Sequence, residues 1–269
     1  MDEFSKSLSV FSCAVVTGGS SGIGESFLGL ISTVESFLVV CNLSRREPVD
    51  SFDGRLRHHP CDLSDAAALA SAAGAVRRDI ESAPPGKLLL VLNSGFGAYG
   101  RFPDIDGARQ ARLIDVNVRS VVDLTARLMD PLRERGGAVL LVASTAAWQP
   151  TPWLATYGAS KAFVLQWGLA LREDLREAGV SVTVLCPGPT RTAFFTAAEM
   201  GETAPGLGMA NAAAVARLGL RGVVRNRAVV VPGVLNKVSA ALACRLPRRW
   251  QGRVADLILK RFRNPSSNE

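Results

Sequence analysis

A short apolar run that leads directly into a glycine-rich turn constrains this chain more than any other feature. Residues 13–17 read CAVVT, the pattern of a buried strand, and residues 18–24 read GGSSGIG. A helix is predicted to follow, from about residue 21 to residue 34. Glycines let a backbone approach a ligand closely, and the N-terminus of a helix attracts a phosphate group. The segment therefore predicts a pyrophosphate-binding turn at the edge of a parallel sheet.

Strand and helix patterns alternate along the rest of the chain. Further strands are predicted at residues 37–43, 55–59, 87–93, 138–144, 180–186 and 228–231, and further helices at 66–81, 108–129, 157–178 and 211–225. Between the second and third strands only about nine residues remain, too few for a crossover helix, so a loop is expected there. The alternation favours an α/β fold with one doubly wound parallel sheet, Rossmann-like, with helices on both faces. Since no linker is visible, residues 1–269 are predicted to form a single domain.

Composition narrows the class of protein. With 48% hydrophobic and 20% charged residues, the chain has enough apolar material for a sizeable core. No run approaches the roughly 18 apolar residues of a membrane span, and the chain begins with acidic rather than basic residues, so a cytoplasmic location is expected. The five cysteines are scattered without a spacing that suits zinc, and no metal site is predicted. Core packing is the better account of Cys13, Cys41 and Cys186.

A second group of chemically important residues lies within residues 144–161. Ser144 follows a predicted strand, at the edge where open parallel sheets bind ligands. Tyr157 and Lys161 are four residues apart and would share one face of a helix. A hydroxyl, a phenol and an ammonium group so placed could converge on one carbonyl group. Taken alone, Tyr157 could equally be a half-buried helix residue and Lys161 a solvated cation.

The end of the second predicted strand bears on the choice of cofactor. A dinucleotide fold that prefers NAD usually carries an acidic residue at this point to bind the ribose 2′-hydroxyl, whereas an arginine accommodates a 2′-phosphate. Here the strand ends in Ser44, Arg45 and Arg46. NADP(H) is therefore favoured over NAD(H).

Taken together, these motifs resemble the short-chain dehydrogenase/reductase family over nearly the whole chain. The matching segments are TGGSSGIG at 17–24, CDLSD at 61–65, NSG at 93–95, Asn117, Ser144, Tyr157-x-x-x-Lys161 and PGPTRT at 187–192. The resemblance implies an NAD(P)-dependent oxidoreductase acting on a ketone, an aldehyde or a secondary alcohol. The chain departs from the family pattern in reading Leu-Asn-Ser-Gly at 92–95 and in having a shortened segment after Arg46.

The resemblance also implies a role for individual residues. Asn117, Ser144, Tyr157 and Lys161 match a catalytic tetrad. In it Tyr157 donates a proton, Ser144 orients the carbonyl, Lys161 lowers the pKa of the phenol and holds the nicotinamide ribose, and Asn117 fixes a water that passes protons to Lys161. The cofactor contacts implied by the match are Gly18, Ser20, Ser21, Gly22, Ile23, Gly24, Arg45, Asp62, Leu63, Asn93, Gly95, Tyr157, Lys161, Pro187, Gly188, Thr190 and Thr192.

Aromatic residues are frequent near the predicted tetrad. These aromatic residues are Phe96, Tyr99, Phe102, Trp148, Trp153, Phe194 and Phe195. They could line a pocket for an apolar substrate, or they could be ordinary core or interface residues. Phe194 and Phe195 belong to a predicted substrate flap at about residues 190–212. We therefore expect an NADPH-dependent carbonyl reductase with an apolar small-molecule substrate. A catalytically silent NADPH-binding sensor, or a protein that docks on a membrane or partner, is the alternative.

Two helices carry more apolar surface than one sheet can cover. Beside the stripes predicted to face the sheet, they have second apolar stripes at Val118, Val122, Thr125 and Met129, and at Phe163, Trp167 and Ala170. A homodimer or homotetramer is predicted from these faces. The basic C-terminal segment, about residues 232–269, is expected to cover the substrate pocket or a subunit contact. Peripheral membrane contact is its alternative role, and nucleic acid is not an expected partner.

Overall fold

Parallel strands in one sheet form the centre of the molecule. The computed structural model describes residues 3–49, 54–200 and 209–260, and within them seven strands pair in the order β3-β2-β1-β4-β5-β6-β7. The strands are β1 (Phe11–Thr17), β2 (Val39–Ser44), β3 (Leu56–Pro60), β4 (Lys87–Leu92), β5 (Gly137–Val142), β6 (Val180–Leu185) and β7 (Val229–Val230). The chain runs outward from β1 to β3 and then returns to place β4 on the other side of β1. The carboxyl ends of β1 and β4 therefore flank the switch point where such sheets bind ligands.

Helices cover both faces of this sheet. They are α1 (Glu3–Leu8), α2 (Gly22–Ser32), α3 (Ala66–Ser82), α4 (Gly107–Ile114), α5 (Ser120–Arg127), α6 (Met129–Arg135), α7 (Ala155–Asp174), α8 (Phe194–Ala197), α9 (Ala212–Val224), α10 (Val234–Arg245) and α11 (Arg248–Leu259). Helices α1, α2 and α9 pack on one face, and α3, α5, α6 and α7 on the other. The predicted doubly wound α/β fold is confirmed. No helix of the described residues is long and apolar enough to cross a membrane.

The central strands β1, β4 and β5 are mostly apolar because they are buried on both faces, whereas the edge strand β3 is polar and only partly buried. In β1, Cys13 and Val15 belong to the core on one side of the sheet, whereas Ala14 and Val16 belong to the core on the other side. Side chains of a strand alternate between faces, so a strand between two helical layers has apolar residues at every position. The helix patterns follow the same cores. The predicted sheet-facing residues Val164 and Gly168 of α7 are buried.

The helix predicted at residues 108–129 is interrupted. Residues Asp115–Arg119 form a π-helical turn between α4 and α5, and the Ser120 N–H bonds to the carbonyl of Asp115 five residues earlier. Helix α5 then ends at Arg127, because Pro131 has no N–H to bond the Arg127 carbonyl. The Arg77 guanidinium donates to that carbonyl instead, at 3.4 Å. The predicted apolar stripe nevertheless faces the core, and its members are all buried: Leu113, Asn117, Val121, Leu124 and Leu128.

Several boundaries and segments differ from the sequence predictions. Helices α1, α10 and α11 were not predicted, and the predicted flap forms only the short helix α8 within the described residues. The centre of the flap (201–208), the end of the basic segment (261–269) and part of the shortened segment (50–53) lie outside the described residues.

The two histidines occupy opposite faces of β3, as strand alternation predicts. His58 Nδ1 lies 3.1 Å from Asn42 Nδ2, and His59 Nε2 lies 2.8 Å from Asp79 Oδ2. Cys41 adds a thiol to the second contact, so that Cys41, His59 and Asp79 bring their possible ligand atoms within 4.8 Å of one another. The His59–Asp79 pair lies on the face of the sheet that α3 covers, and neither residue lines the cleft described below.

Candidate active site

A cleft of about 870 Å³ opens at the carboxyl edge of the sheet. Strand ends and the loops that follow them form its walls. Every residue that the sequence predicts to contact the cofactor lines this cleft except Gly24. Of the predicted tetrad, Ser144, Tyr157 and Lys161 line it, and Asn117 does not. The cleft therefore joins the glycine-rich turn to the candidate catalytic residues in one continuous space.

The glycine-rich turn has a backbone that side chains would block. Gly18 and Gly22 have φ angles of +70° and +61°, in the left-handed region that favours glycine. A Cβ at Gly24 would collide with the carbonyl of Gly18 and would lie 2.5 Å from Asn93 Nδ2. Ser21 is the residue before α2, and within the described residues its side chain makes no capping hydrogen bond to the start of this helix. The turn and the unpaired N–H groups at the start of α2 form a cradle suited to an anion.

Two buried polar residues that were not predicted hold this turn in place. Asn42 lies in β2, and its Oδ1 accepts a hydrogen bond from the Gly19 N–H at 2.9 Å. Thr17 Oγ1 accepts from the N–H groups of Asn93 and Ser94, both at 3.0 Å. These bonds tie the turn to the strands on either side of β1. The sequence signal available for Asn42 was an amide within an otherwise apolar strand, which needs a partner when buried.

At the other end of the cleft, Asp62 is held by its neighbours. One carboxylate oxygen accepts from the N–H and hydroxyl of Ser64, at 3.0 and 2.7 Å, and the other accepts from Arg112 at 2.6 Å. Burial raises the pKa of the Asp62 carboxyl, but the Ser64 bonds and the charges of Arg112 and Arg45 outweigh it, so that the net pKa is lowered. Asp62 is therefore an anion with a defined orientation. Arg112 was not predicted, and no motif marks it.

Lys161 is almost fully buried, at 4% exposure. Its Nζ donates to the carbonyl of Val142 at 2.9 Å and lies 5.9 Å from the centre of the Tyr157 ring. Ser144 accepts a hydrogen bond from the N–H of Ala146 at 3.1 Å, which fixes the direction of its hydroxyl oxygen. Three of the four predicted catalytic side chains are thus close together. Ser144 comes from the turn after β5, and Tyr157 and Lys161 come from α7.

Asn117 lies behind this group. Its Oδ1 accepts from the Phe96 N–H at 3.1 Å, and its Nδ2 donates to the Phe96 carbonyl and to Ser160 Oγ, both at 3.0 Å. Ser160 in turn donates to the carbonyl of Tyr157 at 2.7 Å. The amide therefore links the loop after β4 to the helix that carries Tyr157. Its role in a proton relay stays a prediction.

Burial controls the protonation of the two titratable groups. Desolvation raises the pKa of Tyr157 to about 12, and a hydrogen bond with Ser144 opposes part of this rise. Desolvation lowers the pKa of Lys161 to about 8, and the nearby Cys186 opposes it. The family resemblance implies that Lys161 lowers the pKa of the phenol, whereas here loss of solvent outweighs any such effect. At neutral pH the phenol keeps its proton, which is the form that a proton donor requires.

Apolar side chains surround the reacting end of the cleft. Phe194 packs on Tyr157 with ring centres 5.1 Å apart, and Phe195 meets Phe194 edge to face at 5.7 Å. These two and Phe96 line the cleft, in agreement with one of the two roles considered for the aromatic residues. The other four residues of that group do not line it. Tyr99 and Trp153 stack beside it, Trp148 packs on the core and Phe102 is 66% exposed.

The C-terminal helix α11 closes the apolar end of the cleft. Leu259 contributes to the lining and packs with Phe194 and Phe195. The Tyr99 hydroxyl donates to the Leu259 carbonyl at 2.9 Å, and Trp153 Nε1 donates to Asp256 at 2.9 Å. Sequence reasoning did not identify Leu259 as a site residue. The expectation that the basic segment covers the pocket agrees with this placement.

Comparison with known protein families agrees with the arrangement of residues in this cleft. The family model described as short chain dehydrogenase matches residues 12–203, which include the glycine-rich turn and the candidate catalytic residues. The chain belongs to this family. Short chain dehydrogenases are oxidoreductases that use a nicotinamide cofactor, so the cleft is the expected place for both cofactor and substrate.

Curated relatives share about a third of their residues with this dehydrogenase. The probable oxidoreductase EphD of Mycobacterium tuberculosis is 32% identical over 199 residues, which are 71% of this chain and 33% of that protein. Sulfoacetaldehyde reductase 2 of Chromohalobacter salexigens is 31% identical over 200 residues, 71% of this chain and 77% of that protein. The chain therefore matches only about a third of the length of the mycobacterial relative.

Solved structures show the same fold at lower identity. A short-chain dehydrogenase from Sphingobium yanoikuyae in complex with NADPH has a TM-score of 0.74 and 23% identity, covering 88% of this chain and 97% of that one. A short chain dehydrogenase/reductase from Burkholderia phymatum in complex with NAD has a TM-score of 0.75 and 23% identity, covering 100% and 99%. The fold thus occurs with either nicotinamide cofactor.

Proposed function

We propose that this dehydrogenase is an NADPH-dependent carbonyl reductase whose substrate is an apolar ketone or aldehyde. The observation that carries the proposal is the grouping of Ser144, Tyr157 and Lys161 on the wall of a cleft that also contains the glycine-rich turn. A protonated phenol beside a fixed hydroxyl is suited to a carbonyl oxygen that gains negative charge. The reverse oxidation of a secondary alcohol uses the same residues.

The residues that line the cleft support a dinucleotide bound at the positions that the sequence predicts. The turn from Gly18 to Gly24 would hold the pyrophosphate, Asp62 the adenine end and Thr190 and Thr192 the nicotinamide end. A Cβ at Gly22 would lie 3.0 Å from Thr192 Cγ2, so the loop after β6 approaches the turn across the cleft. When bound, the nicotinamide supplies a hydride to the carbonyl carbon. The protein's own contribution is position and proton transfer.

Proton transfer rests on Tyr157. As the carbonyl carbon gains hydride, the C=O π bond breaks and the oxygen takes the phenolic proton, which forms an alcohol and leaves a phenolate. Ser144 hydrogen-bonds the same oxygen and holds it in line. Lys161, in its charged form, stabilises the phenolate until a solvent proton restores it. The three groups therefore orient the carbonyl, donate the proton and allow the phenol to be reprotonated.

The nature of the lining supports an apolar substrate. Phe194, Phe195, Leu154, Met200 and Leu259 form one apolar cluster around the Tyr157 ring. A polar substrate would leave its own hydrogen-bonding groups unpaired against these side chains, which is unfavourable. Ketones and aldehydes whose only polar group is the reacting carbonyl fit best.

NADPH consumption over a panel of carbonyl compounds tests this function. The panel includes linear aldehydes, cyclic and aromatic ketones and steroid ketones, each paired with a charged analogue of similar size. We expect turnover of apolar members and at least about tenfold lower kcat/KM for the charged analogues, since the apolar wall cannot compensate a buried charge. Binding of NADPH without turnover of any member would instead favour a nucleotide sensor.

The choice of NADPH depends on Arg45. Its side chain is exposed at the adenine end of the cleft, beside Asp62, and it makes no ion pair within the described residues. A hydrogen bond to a charged group contributes about 1.5–3 kcal/mol, so Arg45→Asp is expected to lower the NADPH to NADH ratio of kcat/KM by about tenfold to a hundredfold. Arg176→Asp makes the same charge change on a distant exposed arginine and should leave the ratio unaltered. An equal ratio in the wild type and Arg45→Asp would remove the argument for NADPH.

Reduction is expected to slow in alkaline solution. Since the pKa of Lys161 is lowered to about 8, its ammonium loses its proton above that pH while Tyr157, with a pKa near 12, stays protonated. We expect kcat/KM for reduction to be level from about pH 6 to 7, to be about halved near pH 8 and to fall about tenfold per pH unit above that. A level profile up to pH 10 would contradict the role of the ammonium.

The titration of Lys161 does not itself destabilise the fold over this range. Between pH 8 and about 10 the folded chain has released the Lys161 proton that the unfolded chain still binds, because an unperturbed lysine has a pKa near 10.4. This difference stabilises the fold as the pH rises through that range. A thermal melt at each pH provides the control.

We also propose that the enzyme forms a homodimer or homotetramer through the outer faces of α5 and α7. On α7 the rings of Phe163 and Trp167 stack with centres 6.2 Å apart, and Phe163 is exposed. Val118 and Val122 are only partly buried on the neighbouring segment. Trp167 also packs against the core, so Phe163 is the exposed member of the pair. Exposed aromatic residues are enriched in subunit contacts.

A further inference from the structure

The outer face of α10 carries an exposed apolar stripe. Leu235, Val238 and Leu242 recur three or four residues apart, and Leu246 continues the series at the C-terminal end of the helix. All four are exposed, and Leu235 is 82% exposed. The helix packs on the protein through small buried residues, Ala240 and Ala243. Its large apolar side chains therefore point away from the core.

Helix α11 repeats this arrangement and adds positive charge. Trp250, Val254 and Leu257 recur at the same spacing and are exposed, with Leu257 at 65%. Cations lie on the same helix, and the Arg253 guanidinium packs over the Trp250 ring at 5.5 Å from its centre. On its inner side Ala255 is buried and Leu259 lines the cleft. One helix thus faces the substrate cleft on one side and presents a bare apolar stripe on the other.

The charge of this helical pair, Val234–Leu259, is strongly one-sided. Its only acidic residue is Asp256, which is paired with Trp153 and Lys260. The cations of the pair and the residue that follows it are Lys237, Arg245, Arg248, Arg249, Arg253 and Lys260. A two-fold contact between copies of this chain would bring these like charges together. A surface that combines apolar stripes with cations instead complements an anionic, partly apolar partner.

We propose that the helical pair docks on a bilayer that contains anionic phospholipids. Apolar side chains of an interfacial helix enter the boundary between headgroups and acyl chains, while lysine and arginine extend to the phosphate groups. Exposed apolar patches of this kind mark interaction sites in proteins that do not span the membrane. Since α11 also forms a wall of the cleft, docking would bring the bilayer next to the substrate site. Uptake of an apolar substrate from the bilayer rests on the proposed function, whereas docking itself does not.

Co-sedimentation of the full chain with vesicles tests the proposal. One set contains phosphatidylcholine alone, and the other contains phosphatidylcholine with about a third phosphatidylserine. Each Lys or Arg near an anionic surface strengthens binding about fivefold, so Arg249→Gln with Arg253→Gln should weaken it by roughly 25-fold. Leu235→Ser with Leu242→Ser should weaken it by at least about tenfold, because two apolar side chains no longer enter the interface. Binding should also fall in high salt.

Matched substitutions elsewhere separate this surface from a general effect. Val10→Ser removes an exposed apolar residue before β1, and Arg133→Gln with Arg176→Gln removes two exposed cations. These controls should bind vesicles almost as the wild type does. Retained NADPH binding and an unchanged melting temperature show that each variant is folded.

Three results would overturn the proposal. The first is a wild-type chain that does not sediment with the anionic vesicles. The second is equal binding by the helical-pair variants and their controls. The third is a pair of observations: the wild type does not bind vesicles, and the variant with Leu235→Ser and Leu242→Ser changes its oligomeric state. That result would make the surface a contact between copies of the chain. Because none of these measurements requires turnover, their failure is distinguishable from failure of the proposed reductase activity.

Discussion

Replacement of Tyr157 by Phe is expected to lower kcat for carbonyl reduction by about a thousandfold, the scale of a lost general acid. The phenylalanine ring can still pack on Phe194, whose ring centre lies 5.1 Å from that of Tyr157. Affinity for NADPH should therefore change little. Turnover with a reactive ketone and NADPH binding by fluorescence measure the two effects separately.

The chain supplies its own control for this substitution. Tyr99 is the only other tyrosine, and its hydroxyl bonds to the Leu259 carbonyl beside the cleft rather than to the reacting group. Tyr99→Phe loses a hydrogen bond that contributes about 0.5–1.5 kcal/mol to stability, and most of kcat should remain. Full activity in Tyr157→Phe, or equal losses in both variants, would show that the phenol of Tyr157 is not the proton donor.

The second large effect is expected from Gly24→Ala. The added Cβ would collide with the carbonyl of Gly18 and press on Asn93, so the glycine-rich turn must move. Displaced backbone in a tightly packed site typically costs about 1–3 kcal/mol, and the anion-binding cradle is distorted as well. We expect NADPH affinity to fall by at least about tenfold, the equivalent of 1.4 kcal/mol. Titration with NADPH and a thermal melt measure both consequences.

Gly29 in the same helix provides the matched comparison. A Cβ there meets nothing within 4 Å. Since alanine is favoured over glycine within a helix by about 1 kcal/mol, Gly29→Ala should be neutral or stabilising and should bind NADPH normally. If Gly24→Ala also bound normally, close packing at Gly24 would have no part in shaping the cofactor site.

The local patterns predicted the fold well because they report how each segment is buried. Strand β5 and all of β4 after Lys87 are apolar, which in a short segment is typical of burial on both faces. On α7 the spacing of Lys161, Val164 and Gly168 identified the face that packs on the sheet. The grouping of Ser144 with Tyr157 and Lys161 followed from the same reasoning, since strand ends in a parallel sheet meet at one edge.

Contacts between distant segments were beyond such patterns. The partners of Asn117 are the Phe96 backbone and Ser160, and only the packed structure brings them together. Arg112 reaches Asp62 across 50 residues of chain. The sequence indicated a basic segment with apolar faces at residues 232–269 but did not give the bounds of α10 and α11. Which side of α11 meets the cleft became clear only from the bonds by which Trp153 and Tyr99 hold this helix.

By itself, the sequence determined the order of the seven strands and of the main helices between them, the glycine-rich turn and the spacing of Tyr157 and Lys161, because these depend on backbone geometry within a few residues. Only the tertiary structure decided the protonation of those two groups. Desolvation by surrounding side chains raises the pKa of Tyr157 to about 12 and lowers that of Lys161 to about 8. It also decided which face of α11 meets the cleft and which stays exposed. Both outcomes depend on neighbours that are distant along the chain, and no local pattern records them.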